Sequence, residues 1–277
     1  VGQDPAHIEA ERLVPTTDPT STLQRVVDFF LPYRARLQAI GVCSFGPLEL
    51  ARDAGDAYGS MLETPKRGWS HIPLRTTLEH ALEVPVHIET DVNGAALAEQ
   101  RWGRGQGADP LVYVTVGTGI GVGVVIAGRP LHGLLHPELG HLRVPRAAGD
   151  AFAGLCPYHG DCLEGLASAP AIQARTGASP DALSDADAVW DLEAHYLGSL
   201  MHTLVLAYAP RRIVLGGGVA KRTCLWPKLH AEILRSLAGY VPRPQLTREG
   251  IAEFVVPSAL HDRAGLYGGF ALSLFDR

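Results

Sequence analysis

The chain has no run of basic residues, and no apolar stretch reaches the roughly 18 residues of a membrane-spanning helix. Asp and Glu number 29 against 24 Lys and Arg, a net charge of −5. Such a surface has no electrostatic footprint for nucleic acid or an anionic membrane. No secretory signal is visible at the start. No glycine-rich turn is followed by Gly-Lys-Ser/Thr, so there is no Walker A loop, and no Gly-x-Gly-x-x-Gly opens a helix. Low-complexity segments and short tandem repeats are missing as well. Cysteine is scarce, with 4 in 277 residues, which excludes a disulfide scaffold. Apolar residues make up 46% and charged residues 19%, the composition of an ordinary globular core. The length suits one large domain or two of common size.

Two of those four cysteines fall in the densest stretch of the chain, residues 136–164. It reads His136-Pro-Glu138-Leu-Gly-His141 and, after a linker, Cys156-Pro-Tyr-His159-Gly-Asp-Cys162-Leu-Glu164. Cys156, His159 and Cys162 repeat at a spacing of three. A structural zinc site takes four N or S donors and leaves no open position. The fourth donor is His141, with His136, Cys43 and Cys224 as alternatives. Cys43 and Cys224 otherwise remain reduced, which points to the cytoplasm. Glu138 and Glu164 are carboxylates that a closed zinc site does not need. They are either solvated, the usual fate of Glu, or held by the metal loop toward a polyhydroxylated ligand, whose hydroxyls both donate and accept.

The patterning elsewhere alternates helices with apolar strands, as in α/β proteins. Residues 8–14 alternate like a strand. Thr20-Ser-Thr reads as the cap of a helix over about 21–36. Residues 39–45 form a buried strand, 49–70 are irregular, and 74–83 are helical. The strand 84–89 ends at Thr90-Asp91-Val-Asn93, and a helix runs from 94 to 102. Ligands of open α/β sheets bind outside the carboxyl ends of strands. One of Asp91 and Asn93 caps this helix and the other is free for chemistry. Residues 111–127 (LVYVTVGTGIGVGVVIA) are a hairpin whose glycines bare backbone N–H groups, either as a phosphate-receiving turn or as a plain tight turn. Helices follow at 169–176 and 185–209. A strand from 211 runs into Gly216-Gly-Gly218 and a helix at about 224–238, an arrangement that brings backbone close to a nucleotide. A last strand spans 251–256, and a helix opens near Asp262–Gly269.

Taken in order, Glu89-Thr-Asp91-Val-Asn93-Gly-Ala-Ala, Thr115-Val-Gly-Thr-Gly-Ile-Gly121, Glu138-Leu-Gly-His141, Cys156…His159…Cys162-Leu-Glu164 and Leu215-Gly-Gly-Gly-Val219 resemble the ROK family of repressors and sugar kinases. Ser44-Phe-Gly-Pro47 and Thr64-Pro-Lys-Arg-Gly-Trp69 are similar to its zinc-containing bacterial fructokinase branch. The resemblance runs from residue 8 to the end. It implies an actin-like ATPase (ribonuclease H-like) α/β fold of two lobes around a cleft, with residues 1–107 in one and 108–277 in the other. It implies ATP-dependent phosphorylation of a hexose, D-fructose to fructose 6-phosphate, with Mg²⁺ accompanying ATP, structural Zn²⁺, and a homodimer.

The family's roles carry over by position. Asp91 resembles the catalytic base. Asn93, Glu138, His141 and Glu164 match sugar contacts, and His141 would also ligate zinc through one ring nitrogen. Thr118 and Gly119, within Gly117–Gly121, resemble the second phosphate loop. Pro210, Gly216, Gly217, Gly218 and the turn Ala264-Gly265-Leu266-Tyr267-Gly268 match the adenosine side. The family opens with a phosphate hairpin of Asp/Glu-x-Gly-Gly-Thr-Lys type. Here the chain starts Val1-Gly2-Gln3-Asp4, without a methionine, and this hairpin has no counterpart. The sequence either starts after it or the protein has lost it; in the second case low stability and near-inactivity are expected. Competing readings are a glucokinase or mannokinase of the same family, a sugar-responsive regulator, which would carry a winged helix-turn-helix of about 80 residues, and a zinc hydrolase, which needs an open metal position.

Overall fold

The structure, a computed structural model, describes residues 1–274. Two sheets organise the chain. The first pairs β1 (Ile40–Ser44) with β2 (Val86–Thr90) in parallel, Ile40 opposite Val86 and Ser44 opposite Thr90. The second has five strands: β3 (Leu111–Val116), β4 (Ile120–Ile126), β5 (Arg129–Pro130), β6 (Arg212–Gly216) and β7 (Val255–Pro257), in the order β5-β4-β3-β6-β7. β3, β6 and β7 run parallel, and β4 turns back on β3 as the sequence predicts.

The central strands are apolar on both sides because both sides are covered. Val112, Val114, Val116, Ile213 and Leu215 face one core with α6 (Val189–Tyr208) and α7 (Leu225–Leu237). The alternate residues Leu111, Tyr113 and Val214 face a second core with α3 (Asp91–Trp102) and α9 (Ala264–Ser273). These two helices also pack on β1, so they form a layer between the sheets. α3 is accordingly buried over Asn93–Glu99 without a polar face. Beyond β1 and β2 lie α1 (Pro19–Phe30) and α2 (Leu74–Leu82), closing on Val27, Ile40, Leu78, Leu82 and Val86. Two short helices, α4 (Leu163–Ala167) and α5 (Ala169–Thr176), follow the cysteine-rich segment.

Several expectations shift. Residues 8–14 form no strand: Ile8 makes one bridge to Gly2, and Leu13 is 95% exposed. Alternation without a neighbouring ladder does not make a strand. α1 begins earlier than predicted, because Asp18 caps it by accepting from Ser21 N at 2.9 Å and Pro19 takes the first turn. Its far end becomes a 3-10 turn over Leu31–Arg36, where Pro32 lacks the N–H to continue the ladder. Residues 251–256 split into α8 (Ile251–Phe254) and the short β7. No helix among the described residues is long and apolar enough to cross a membrane.

Candidate active site and metal centre

β1 and β2 end side by side, and α3 starts immediately after β2. Its cap is neither Asp91 nor Asn93: Thr90 Oγ1 accepts from Asn93 N at 3.2 Å. Asp91 is therefore the first helical residue, with its side chain exposed at the strand end and Oδ1 accepting from Val92 N at 2.8 Å. The protein bulk around it raises its pKa above the usual carboxylate value, a desolvation effect that the bond from Val92 N partly offsets.

Asn93 turns inward. Its Nδ2 donates to Glu89 Oε2 at 2.8 Å, and its Oδ1 is buried without a partner among the described residues. Glu89 is also buried; it accepts from Thr90 N at 3.0 Å and meets His132 Nε2 at 2.5 Å. Sequence reasoning gave Glu89 no role, although a carboxylate at an inward-facing position of a buried strand signals a fixed polar network.

Glu138 precedes a 3-10 turn, Leu139–His141, and Glu164 lies in the first turn of α4. Burial, then the charges of Glu164 and Asp91, push the Glu138 carboxyl up to about 7. Glu164 and Asp91 thus both act on Glu138. Glu164 Oε2 accepts from Ile120 N at 3.0 Å, which draws the Gly117–Gly121 turn to the same place. A Cβ on Gly119 would stand 2.6 Å from that oxygen and would push the carboxylate aside. Thr118 sits exposed at the turn's tip.

Next to this group, His141, Cys156, His159 and Cys162 place one donor atom each within 4.8 Å of one another. His141 Nδ1 lies 3.6 Å from Cys156 Sγ and 3.5 Å from Cys162 Sγ; His159 Nδ1 lies 3.6 Å from Cys156 Sγ. Four N and S donors converging in this way can hold a metal ion. His136, Cys43 and Cys224, the other candidates for the fourth donor, are not part of the cluster. The linker into it is anchored independently. Arg175 of α5 grips Asp150 through two 2.7 Å bonds, Tyr196 of α6 donates to the same carboxylate, and the guanidinium stacks 4.2 Å over Phe152. Arg175 holds the Asp150 carboxyl well below the usual range.

A cavity of about 570 Å³ opens at the carboxyl end of β6. Gly216 and Gly217 line it with Lys221, Trp226, His230 and Asp262. Gly217 has φ +88°, and a Cβ there would meet Val116 O at 2.2 Å. Gly218 follows, outside the lining, and precedes the turn Val219–Lys221. The remaining expected nucleotide residues lie outside its lining. Pro210 precedes β6 and so sits at the strand's opposite end. Ala264 is buried in the second core, Gly265 and Leu266 are exposed, Tyr267 stacks edge-on against Trp102, and Gly268 packs on Gly94. The cavity is bounded instead by His261 and Asp262, one turn earlier. Trp226 and His230, which sequence reading left as helix residues, share one helical face four residues apart, the visible trace of their pocket role.

The sequence profile of the ROK family matches residues 1–275. A fructokinase of Zymomonas mobilis is 40% identical over 281 residues, spanning 99% of this chain and 91% of that protein. A fructokinase of Pediococcus pentosaceus is 36% identical over 260 residues, spanning 94% and 88%. The crystal structure of a ROK hexokinase from Thermus thermophilus superposes with a TM-score of 0.72 at 30% identity, covering 95% of this chain and 89% of that one. The architecture is the two-lobed, actin-like ATPase fold of these kinases, and the chain belongs to the ROK family.

Proposed function

We propose that the protein is an ATP-dependent fructokinase that transfers the terminal phosphate of ATP to the 6-hydroxyl of D-fructose. The observation that carries this reading is the Gly117–Gly121 turn, which meets Glu164 through Ile120 N and Val92, next to Asp91, through Gly121, beside a four-donor cluster in a chain 40% identical to a named fructokinase. Asp91 accepts the proton of the attacking hydroxyl. The transfer is late, once bonding to phosphorus acidifies the oxygen, so a carboxylate of moderately raised pKa suffices. Glu138, His141 Nε2 and Glu164 orient the sugar through its other hydroxyls, while Asn93, buried and bonded to Glu89, braces the strand end. Thr118 and Gly119 offer N–H groups to the phosphates. The adenosine enters the cavity past Gly216–Gly218. Magnesium, arriving with ATP, supplies charge neutralisation on the phosphates.

The metal of the cluster is zinc in this reading. Zn–S of about 2.3 Å and Zn–N of about 2.0–2.1 Å at a tetrahedral angle put S and N about 3.5–3.6 Å apart, the spacing that the cluster has. Four protein donors fill the coordination sphere, so zinc would brace the loop and leave the chemistry to Asp91. The lobe division at residues 107 and 108, a homodimer and a cytoplasmic location belong to the same proposal; unbridged Cys43 and Cys224, outside the metal cluster, suit a reducing compartment.

Turnover of fructose, mannose and glucose, read by coupled ADP release, tests the assignment. Fructose should have the highest kcat/KM. More efficient turnover of glucose would move the protein to another branch of the family.

A further inference from the structure

His136 is one of the few buried polar residues, 5% exposed, and the mechanism above does not use it. It lies on the segment between β5 and the turn at Leu139–His141. Leu134, two residues earlier, is fully exposed, whereas His136 turns inward. Its Nε2 accepts from the backbone N–H of Leu48, 88 residues away, at 3.1 Å. Its Nδ1 is 3.2 Å from Glu138 Oε1. Gly46 lies against the ring: a Cβ there would stand 3.3 Å from Cε1. Leu48 is wholly buried and follows β1 by four residues, so the contact joins the unit of the two-stranded sheet to the loop of the five-stranded one.

The protonation pattern follows from the donors. A backbone N–H can only donate, so Nε2 carries no proton and Nδ1 does, 3.2 Å from Glu138 Oε1. The polar groups acting on the ring are Glu138, the Pro137 backbone, Glu89 and His132. Burial, assisted by His132, outweighs Glu89 and keeps the imidazole neutral, its pKa below the usual value. Glu138 needs such a partner. Its side chain is 45% exposed and is repelled by Glu164 and Asp91. Without an attractive donor, a flexible Glu in that field turns toward water.

We propose that His136 is a positioning residue for the sugar site: its two ring nitrogens fix the Glu138 carboxylate relative to residues 46–48, so that the sugar-binding wall drawn from both sheets assembles as one unit. This rests on the kinase reading for the identity of the ligand.

Three variants of the zinc-loaded protein separate the Leu48 bond from the Glu138 contact. Asn carries its amide near Nδ1, so H136N keeps the donor to Glu138 and loses the acceptor for Leu48. Gln carries its amide near Nε2, so H136Q keeps the acceptor and loses the donor. H136A loses both. The readouts are the fructose Kd by calorimetry, the KM values for fructose and ATP, kcat, zinc content, and hydrogen exchange of the Leu48 amide. H136Q and H136A should weaken fructose binding and raise its KM by about tenfold to a hundredfold, the worth of a hydrogen bond to a charged group. The KM for ATP and the zinc content should stay within about twofold, and kcat should change less than the fructose KM. H136N should hold the fructose Kd within about threefold, with faster exchange at Leu48. L134A, at the exposed end of the segment, should behave like the wild type. Wild-type fructose affinity in H136Q, or equal losses in kcat, both KM values and folding in all three variants, would overturn the proposal. If the wild type phosphorylates no hexose, the kinase reading fails on that result alone; sugar affinity and Leu48 exchange still decide the role of His136.

Discussion

Gly268 of α9 lies so close to Gly94 of α3 that a Cβ added to Gly268 would stand 2.5 Å from the Gly94 carbonyl carbon and 2.7 Å from its oxygen. The neighbouring Gly269 meets Gly41 of β1 in the same way: a Cβ on Gly41 would lie 1.8 Å from the Gly269 carbonyl oxygen. The glycines of α9 thus set the distance between the helix that carries Asp91 and the layers around it. Gly268→Ala should destabilise the protein by about 1–3 kcal/mol, the usual cost of overpacking, and lower kcat by displacing α3. Urea unfolding and kinetics measure both; unchanged stability would show that the helices have room to part.

Asp91→Asn keeps the shape of the side chain but removes the proton acceptor. Because Thr90 is the helix cap, the substitution costs no capping energy. Turnover should fall about 10²-fold or more, with fructose affinity and Tm nearly unchanged. Near-native turnover would remove Asp91 from the base role.

A strong chelator should release one zinc ion per chain and loosen residues 153–162, because metal and loop order are coupled. Residues 146–152 should keep their protection through the Arg175–Asp150 pair and Tyr196. Fructose binding should weaken, since His141 and Glu164 flank the loop. Zinc-free protein with full sugar affinity and unchanged exchange over 153–162 would exclude a bracing metal.

Glu138 gives a pH-dependent trade-off. Its folded-state pKa is raised to about 7, while in the unfolded chain it titrates near about 4.3. Ionisation is therefore disfavoured in the folded state, and stability falls as pH rises from about 4 to about 7, then levels off. Glu138→Gln should raise Tm at pH 8, leave it unchanged at pH 4, and weaken fructose binding at both. A lower Tm at pH 8 would mean that the carboxylate is stabilised where it stands.

Much of the fold was legible in local pattern. The hairpin at 111–127, the helix at 169–176 and the doubly buried strands β3 and β6 follow from apolar runs and glycine turns. What failed has specific causes. Residues 8–14 alternate but have no ladder to join. Asp18 outcompetes the Thr20-Ser-Thr run as a cap because it directly precedes a proline that favours the first helical turn. Thr90 caps α3, so the choice between Asp91 and Asn93 was misposed. The glycines at 265–269 signal close approach, and at Gly268 and Gly269 the structure shows another backbone, Gly94 and Gly41, making it. For the site, spacing alone pointed to Cys156, His159 and Cys162, whereas Glu89 and His136 work through partners 43 and 88 residues away, which no local pattern encodes.

In the proposed reaction Asp91 directs phosphate from ATP to one sugar oxygen. The most direct measurement is phosphorus and carbon NMR of the product formed from fructose and ATP by the wild-type protein and by Asp91→Asn. Fructose 6-phosphate should be the product of the wild type, formed at least about 10²-fold more slowly by the variant. Phosphate on another hydroxyl, or equal rates from the two proteins, would contradict it.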